Sequence, residues 1–216
     1  MQTLPAWARW CMEKPKTVIA LFLLACVITG FGAGNLYFRG DYKVFFEPDD
    51  PQKLAYEEMQ NVFSKSENVT FLILPDSENV YQPETFELIH ALTEDAWHIP
   101  MSNRVESLSN YQYTFADEEG LVVQDLIRKG QTDEAHIRWV REVIEPIQNL
   151  RGRLISDNEA MAVINVTIQL PEGDQTPKIM KIGAFARELK EKYETAYPDH
   201  KIYLSGIVTM NDAFAL

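Results

Sequence analysis

Apolar and polar positions follow three patterns along this chain. Residues 17–34 (TVIALFLLACVITGFGAG) are an uninterrupted run without a charge. As a helix rising 1.5 Å per residue the run spans roughly 27 Å, close to the hydrocarbon thickness of a bilayer. Beyond it, helical and strand periods alternate. Asp49-Asp50-Pro51 is a helix-start signal, and Leu54, Met59, Val62 and Phe63 fall on one face of a helix reaching about Ser66. Residues 68–74 (NVTFLIL) read as a buried strand. Phe86, Ile89, Leu92 and Trp97 share one side of a helix over 84–98, set between Pro83 and Pro100, and 104–108 is the next strand. In 110–130, Tyr111, Tyr113 and Phe115 alternate as in a strand, whereas 121–127 suits a short helix. Ile137, Val140, Ile144 and Ile147 mark a helix over 132–149, capped by Thr132 or Asp133 and bent at Pro146. Residues 153–156 and 161–170 flank the turn Asp157-Asn158-Glu159 as the arms of a hairpin. A helix over 176–196 presents Ile179, Ile182, Phe185, Leu189 and Tyr193 and leads to a strand at 201–204.

The order is strand–helix–strand, an inserted helix, then hairpin–helix–strand. Each helix and each sheet has one apolar face to bury, so two such units close into a small sheet with its helices on one side. The expected fold class is α+β: one N-terminal transmembrane helix plus a ferredoxin-like (split βαβ) domain. The boundaries follow as 1–16 N-terminal segment, 17–34 membrane helix, 35–205 folded domain and 206–216 (GIVTMNDAFAL) a linker. That linker looks like the entry to a further helix, as in a truncated chain.

Charge gives the membrane segment a direction. Arg9, Lys14 and Lys16 against Glu13 leave residues 1–34 at +2, so residues 35–216 carry −14 of the chain's net −12. Positive charge before the apolar run places the N-terminus in the cytoplasm and the acidic remainder across the membrane. Trp7 and Trp10 on one side, and Tyr37 and Phe38 on the other, suit the two interfacial belts. Other readings of the run remain. Gly32-Ala33-Gly34 offers small residues for signal cleavage, although the run exceeds the usual 7–15 residues of a signal core. Leu23-Leu24-Ala25-Cys26 resembles a lipoprotein signal, but Val27 to Phe31 continues apolar where a lipoprotein turns polar. A buried core helix is disfavoured by Gly30, Gly32 and Gly34, each costing about 1 kcal/mol in a soluble helix. Gly30 and Gly34 also stand at GxxxG spacing, which suits a neighbouring membrane helix.

With 216 residues, 46% hydrophobic and 24% charged, the chain has the balance of a globular protein of one or two domains. The net −12 argues against nucleic acid as a partner, since phosphate binding needs clustered Lys and Arg. Cys11 and Cys26 both lie near the N-terminus, so no disulfide framework serves the folded domain.

Several runs together resemble the resistance-nodulation-division (RND) transporter superfamily, in the branch of the mycobacterial membrane protein large (MMPL) exporters. They are the first membrane helix followed by residues 41–51 (DYKVFFEPDDP), the run 104–111 (RVESLSNY), the turn region 154–161 (LISDNEAM) and Leu204-Ser205-Gly206. The ordered set spans nearly the whole chain. The resemblance implies helix one and the first periplasmic porter domain of a proton-driven exporter of hydrophobic or amphiphilic molecules in a bacterial inner membrane. Such a transporter has about twelve membrane helices in two similar halves. Its partners are then membrane lipids, the remaining membrane helices and the cargo, with a homo-oligomer among the candidate assemblies. The proton-carrying intramembrane acids of such proteins are not in this chain, and residues 17–34 hold no ionisable group except the thiol of Cys26.

Candidate sites are few. His90, Glu94 and His98 stand at i, i+4 and i+8 on one helix face, where imidazole and carboxylate suit a metal, yet with no cysteine or further histidine nearby in sequence a solvated polar face is the better reading. Asp41, Glu47, Asp49 and Asp50 lack the spacing and internal glycine of an EF-hand, so capping and solvation are expected. Asn68-Val69-Thr70 and Asn165-Val166-Thr167 match a glycosylation sequon inside strands and are taken as chance matches. No catalytic triad and no phosphate-cradling glycine loop appears, so neither catalytic nor metal residues nor a cofactor are expected. Met59, Phe63, Phe86 and Trp97 could line an amphiphile cleft, but core positions account for them as well.

Overall fold

The computed structural model describes residues 6–33, 46–47, 49–63, 67–117, 120–171 and 175–215. They belong to two compact units, Met1–Arg39 and Gly40–Leu216.

In the first unit, α1 (Ala6–Glu13) is followed after Lys14 by α2 (Pro15–Ala33). Proline is tolerated at this start because the first turn's N–H groups have no partner within the helix. The stretch Pro15–Gly32 is long and apolar enough to cross a membrane, and none of it is buried. Phe22 and Phe31 are 68% and 82% exposed. Thr29 turns its hydroxyl back onto the helix, donating to Ala25 O at 2.9 Å, so the helix's one hydroxyl side chain after Thr17 is satisfied internally. The helix begins two residues before the expected position, and Gly34, Tyr37, Phe38 and Asp41 lie outside the described residues.

The second unit is a mixed α+β domain. Its elements are α3 (Pro51–Phe63), β1 (Glu67–Pro75), α4 (Pro83–Ala96), β2 (Ser102–Glu106), β3 (Gln112–Asp117), β4 (Gly120–Asp125), α5 (Glu134–Ile144), β5 (Ala162–Ile168), α6 (Thr176–Ala196), β6 (His200–Ser205) and α7 (Ile207–Ala215). Four strands form a sheet in the order β2-β5-β1-β6, and β3-β4 form a separate ribbon. Every neighbouring pair is antiparallel. Consequently β1 and β2 run parallel with β5 between them, and β5 and β6 run parallel with β1 between them. Helix α4 connects the first parallel pair and α6 the second.

Burial along β1 and β5 alternates strictly, as the two-residue period of a strand with one covered face requires. Val69, Phe71 and Ile73 of β1, Ile164, Val166 and Ile168 of β5, and Ile202 of β6 point into the core. Phe86, Ile89 and Leu92 of α4 and Ile179, Ile182 and Ala186 of α6 are buried with them in the same cluster. Fully burying such a side chain stabilises by about 1.5–3 kcal/mol.

Several expectations need correction. Residues 121–127 are not helical: β4 occupies most of them, because Phe115 and Thr114 pair with the β-branched Val122 and Val123. The helix expected to bend at Pro146 stops at Ile144 instead, since Pro146 has no N–H for the carbonyl four residues back. Residues 153–156 make no strand. Ile155 forms isolated bridges to Ala162 and Arg151, while Leu154 N and Ile155 N donate back to Leu150 O. This segment coils on itself and only touches the sheet. The α3 face carrying Leu54 and Met59 is open, with those side chains 51% and 49% exposed, and Trp97 is 46% exposed at the end of α4.

Candidate functional site

A groove of about 560 Å³ opens beside edge strand β2, between the end of α4 and the segment 149–154. It gathers two of the runs that carried the family resemblance, 104–111 and the start of 154–161.

Hydrogen bonds within the run itself shape its floor. Asn110 reaches back so that Ser107 N donates to Asn110 Oδ1 at 2.9 Å and Asn110 Nδ2 donates to Val105 O at 2.7 Å. Behind them, Ser107 Oγ lies 2.9 Å from Thr93 Oγ1 and accepts from Ser109 N at 3.1 Å. Ser109 Oγ donates to Ile127 O at 3.1 Å. Thr93, Ser107 and Ser109 are buried, so each bond offsets a desolvation penalty of about 1–3 kcal/mol for the polar group it satisfies. The run RVESLSN is therefore a braced corner, and its serines and asparagine are chosen by backbone groups.

The groove's charged rim comes from Glu106, whose carboxylate accepts from Arg104 at 2.8 Å and from Arg153 at 2.8 Å. Both arginines are more than half exposed while Glu106 is largely covered. Such a pair in water is worth about 0–1 kcal/mol. With Trp97 and Tyr111 beside this rim, the groove offers guanidinium and amide donors next to flat apolar surface. That equipment suits binding.

A neighbouring corner is braced similarly. Glu159, with φ +60°, accepts from Arg141 at 2.7 Å and Arg151 at 2.9 Å, and Val80 N donates to its carbonyl at 3.0 Å. The Arg141 guanidinium lies 5.4 Å from the centre of the Tyr81 ring. Burial, and then the Glu159 carboxylate, push the Tyr81 phenol up to about 12.

The metal candidates separate. His90 and Glu94 lie on α4, which ends at Ala96, leaving His98 in the following turn. Among the described residues no three His, Cys, Asp or Glu side chains come together as a metal site. His90 instead borders a second, smaller cavity of about 310 Å³ with Arg128, Lys129 and Tyr197. Asp50 caps α3, accepting from Gln52 N at 2.8 Å and Lys53 N at 3.3 Å. The two sequon asparagines meet: Asn68 Nδ2 donates to Asn165 Oδ1 at 2.8 Å across the open face of the sheet, and Thr70 Oγ1 lies 3.2 Å from the same oxygen.

Sequence reasoning missed the residues that fasten α7. Asp212 is buried, with Arg187 of α6 paired to its carboxylate, and Gly183 leaves the space the carboxylate occupies. A polar Asn211-Asp212 pair inside an otherwise apolar IVTMNDAFA run was the available signal. Gly206 has φ +103°, and a Cβ there would collide with the carbonyl of Asn68. The glycine of Leu204-Ser205-Gly206 is thus required by backbone geometry.

No protein-family model and no curated protein matches the chain.

Proposed function

We propose that this chain comprises the first membrane helix and first extracytoplasmic porter domain of a proton-driven RND/MMPL-like exporter of hydrophobic or amphiphilic molecules. The observation that carries the reading is the strand order β2-β5-β1-β6. Two parallel strand pairs, each connected by its own helix and interleaved antiparallel, support the reading of this α+β domain as a split βαβ, ferredoxin-like one. That domain follows a single helix apolar enough to span a bilayer. The +2 charge before that helix and the acidic remainder after it agree with an inside N-terminus and a periplasmic domain. The exposed apolar surface of α2 then faces lipid or other membrane helices.

The second reading is a single-pass anchored module for periplasmic binding or assembly. It is favoured by α7, whose Val208 and Asp212 are buried against the domain.

Deleting the gene and weighing the amphiphiles retained in the cells by mass spectrometry, with and without a protonophore, tests the exporter. Its cargo accumulates in the deletion strain and in protonophore-treated wild type. Unchanged amphiphile levels in both contradict the reading.

A further inference from the structure

In an otherwise acidic domain, two adjacent bases stand at the second, smaller cavity. Arg128 and Lys129 follow β4, both exposed, and line the cavity of about 310 Å³ with His90 of α4 and Thr132. Among the described residues neither base has an ion pair, and the Arg128 guanidinium donates to the neutral Gln124 Oε1 at 3.0 Å. Of the described residues that line the cavity, Glu87 is the one carboxylate, against two cations. Two like charges held side by side repel, and an anion placed between them relieves that repulsion.

The loop that carries them is fixed at its root. Leu126 and Ile127 are buried, Leu126 O lies 2.9 Å from His136 Nε2, and Ile127 O accepts from Ser109 Oγ at 3.1 Å. Gln131 N donates to Arg128 O at 3.1 Å and closes a turn in which Gly130 takes φ +77°, a conformation glycine adopts without strain. The bases therefore project from a loop tied to the core and to α5. Loops set on a rigid scaffold in this way are where ligands are held.

The remaining lining selects the ligand. The buried Phe86 and the half-buried Tyr197 supply an apolar wall. Burial, and then the charges of Glu87 and Glu84, push the Tyr197 phenol above its ordinary value, so it remains an O–H donor at neutral pH. Guanidinium, ammonium, imidazole and two hydroxyls are more donors than the two oxygens of a carboxylate can use, and they suit the three oxygens of a phosphate. The volume is at the lower end of small-molecule sites, roughly 300–1,000 Å³, which suits one phosphate with a ring or short chain better than a two-chain lipid.

We propose that this cavity binds a small organic phosphate monoester, its phosphate held by Arg128 and Lys129 and its apolar body laid against Phe86 and Tyr197. The site shares no lining residue with the groove beside β2 and stands independently of the exporter reading.

Titration of phenyl phosphate into the full chain in maltoside detergent, followed by phosphorus NMR, tests it. Phenyl phosphate saturates one site, and methyl phosphate and inorganic phosphate, which lack the ring, bind roughly tenfold more weakly. Arg128→Gln with Lys129→Gln weakens phenyl phosphate roughly tenfold, whereas Arg138→Gln with Lys181→Gln, which removes the same charge outside the cavity lining, leaves its affinity unchanged. Glu87→Gln tightens binding about threefold. No saturable binding of phenyl phosphate, equal affinity for inorganic phosphate or benzoate, or equal losses in the two double variants overturns the proposal. Displacement by dihexanoyl phosphatidate at lower concentrations than phenyl phosphate itself also overturns it, since the phosphate source is then a lipid headgroup. All substituted side chains are exposed, and an unchanged thermal transition shows that each variant is folded.

Discussion

At the scale of single residues, the domain depends on a few polar groups placed where water cannot reach them. His200 is one: its Nε2 lies 2.9 Å from Thr85 Oγ1, and its Nδ1 is buried without a hydrogen-bond partner among the described residues. Burial holds its pKa below the ordinary value, against the raising influence of Glu84, Asp199 and Asp76. The folded state therefore resists protonation more than the unfolded chain does. As pH falls through about 6.5, the unfolded chain binds a proton first, so the stabilising contribution is complete above that pH and is lost below it. Urea midpoints measured from pH 7.5 down to 5 should fall for the wild type. The additional loss below pH 6.5 should shrink in His200→Gln, and equal slopes in the two proteins contradict this role. Asp212 is the other such group. Removing Arg187 leaves its carboxylate buried without its cation, so Arg187→Ala should destabilise by about 2–4 kcal/mol. Since Arg187 is itself half exposed, a double-mutant cycle with Asp212→Ala should return a coupling of about 1–3 kcal/mol. A coupling near zero means the pair is incidental.

Among the elements, those with a strong period were legible and those set by partners were not. The α4, α6, β1 and β5 segments each repeat apolar residues at one spacing, and their positions in the structure match the expected ones closely. Helix α5 shows both outcomes. Its start was readable because Asp133 is a cap, accepting from His136 N at 2.9 Å, and its end was not, because a proline can bend a helix or stop it. Asp133→Ala should therefore lower the melting temperature, while Asp133→Ser should recover most of the loss. The strand alternation of Tyr111, Tyr113 and Phe115 was legible as β3, but β4 was not, because VVQDL fits either period and the aromatic partners across the ribbon decided it. The groove shows why sites are harder still. RVESLSN was visible as a run, but that Asn110 folds back on Val105 and that Arg153 reaches Glu106 depend on pairings between distant segments. Likewise Gly206 was noted only as part of a resemblance. Its φ of +103° and its contact with Asn68 predict that Gly206→Ala destabilises by about 1–3 kcal/mol, measurable by chemical denaturation.

At the scale of the molecule, an apolar helix with no buried surface precedes an acidic α+β domain with a closed core. In the proposed reading lipid covers the helix, the domain lies in an aqueous compartment, and the charge asymmetry favours the side away from the cytoplasm. The exporter reading rests on that arrangement, so the most direct test is sidedness. Glu188 is exposed on α6 and outside the core. In cells producing Glu188→Cys with Cys11 and Cys26 replaced by Ser, a membrane-impermeant maleimide should label the protein in intact spheroplasts, and alkaline carbonate should leave the labelled protein in the membrane pellet. Labelling that requires lysis, or a labelled protein recovered in the soluble fraction, contradicts the account.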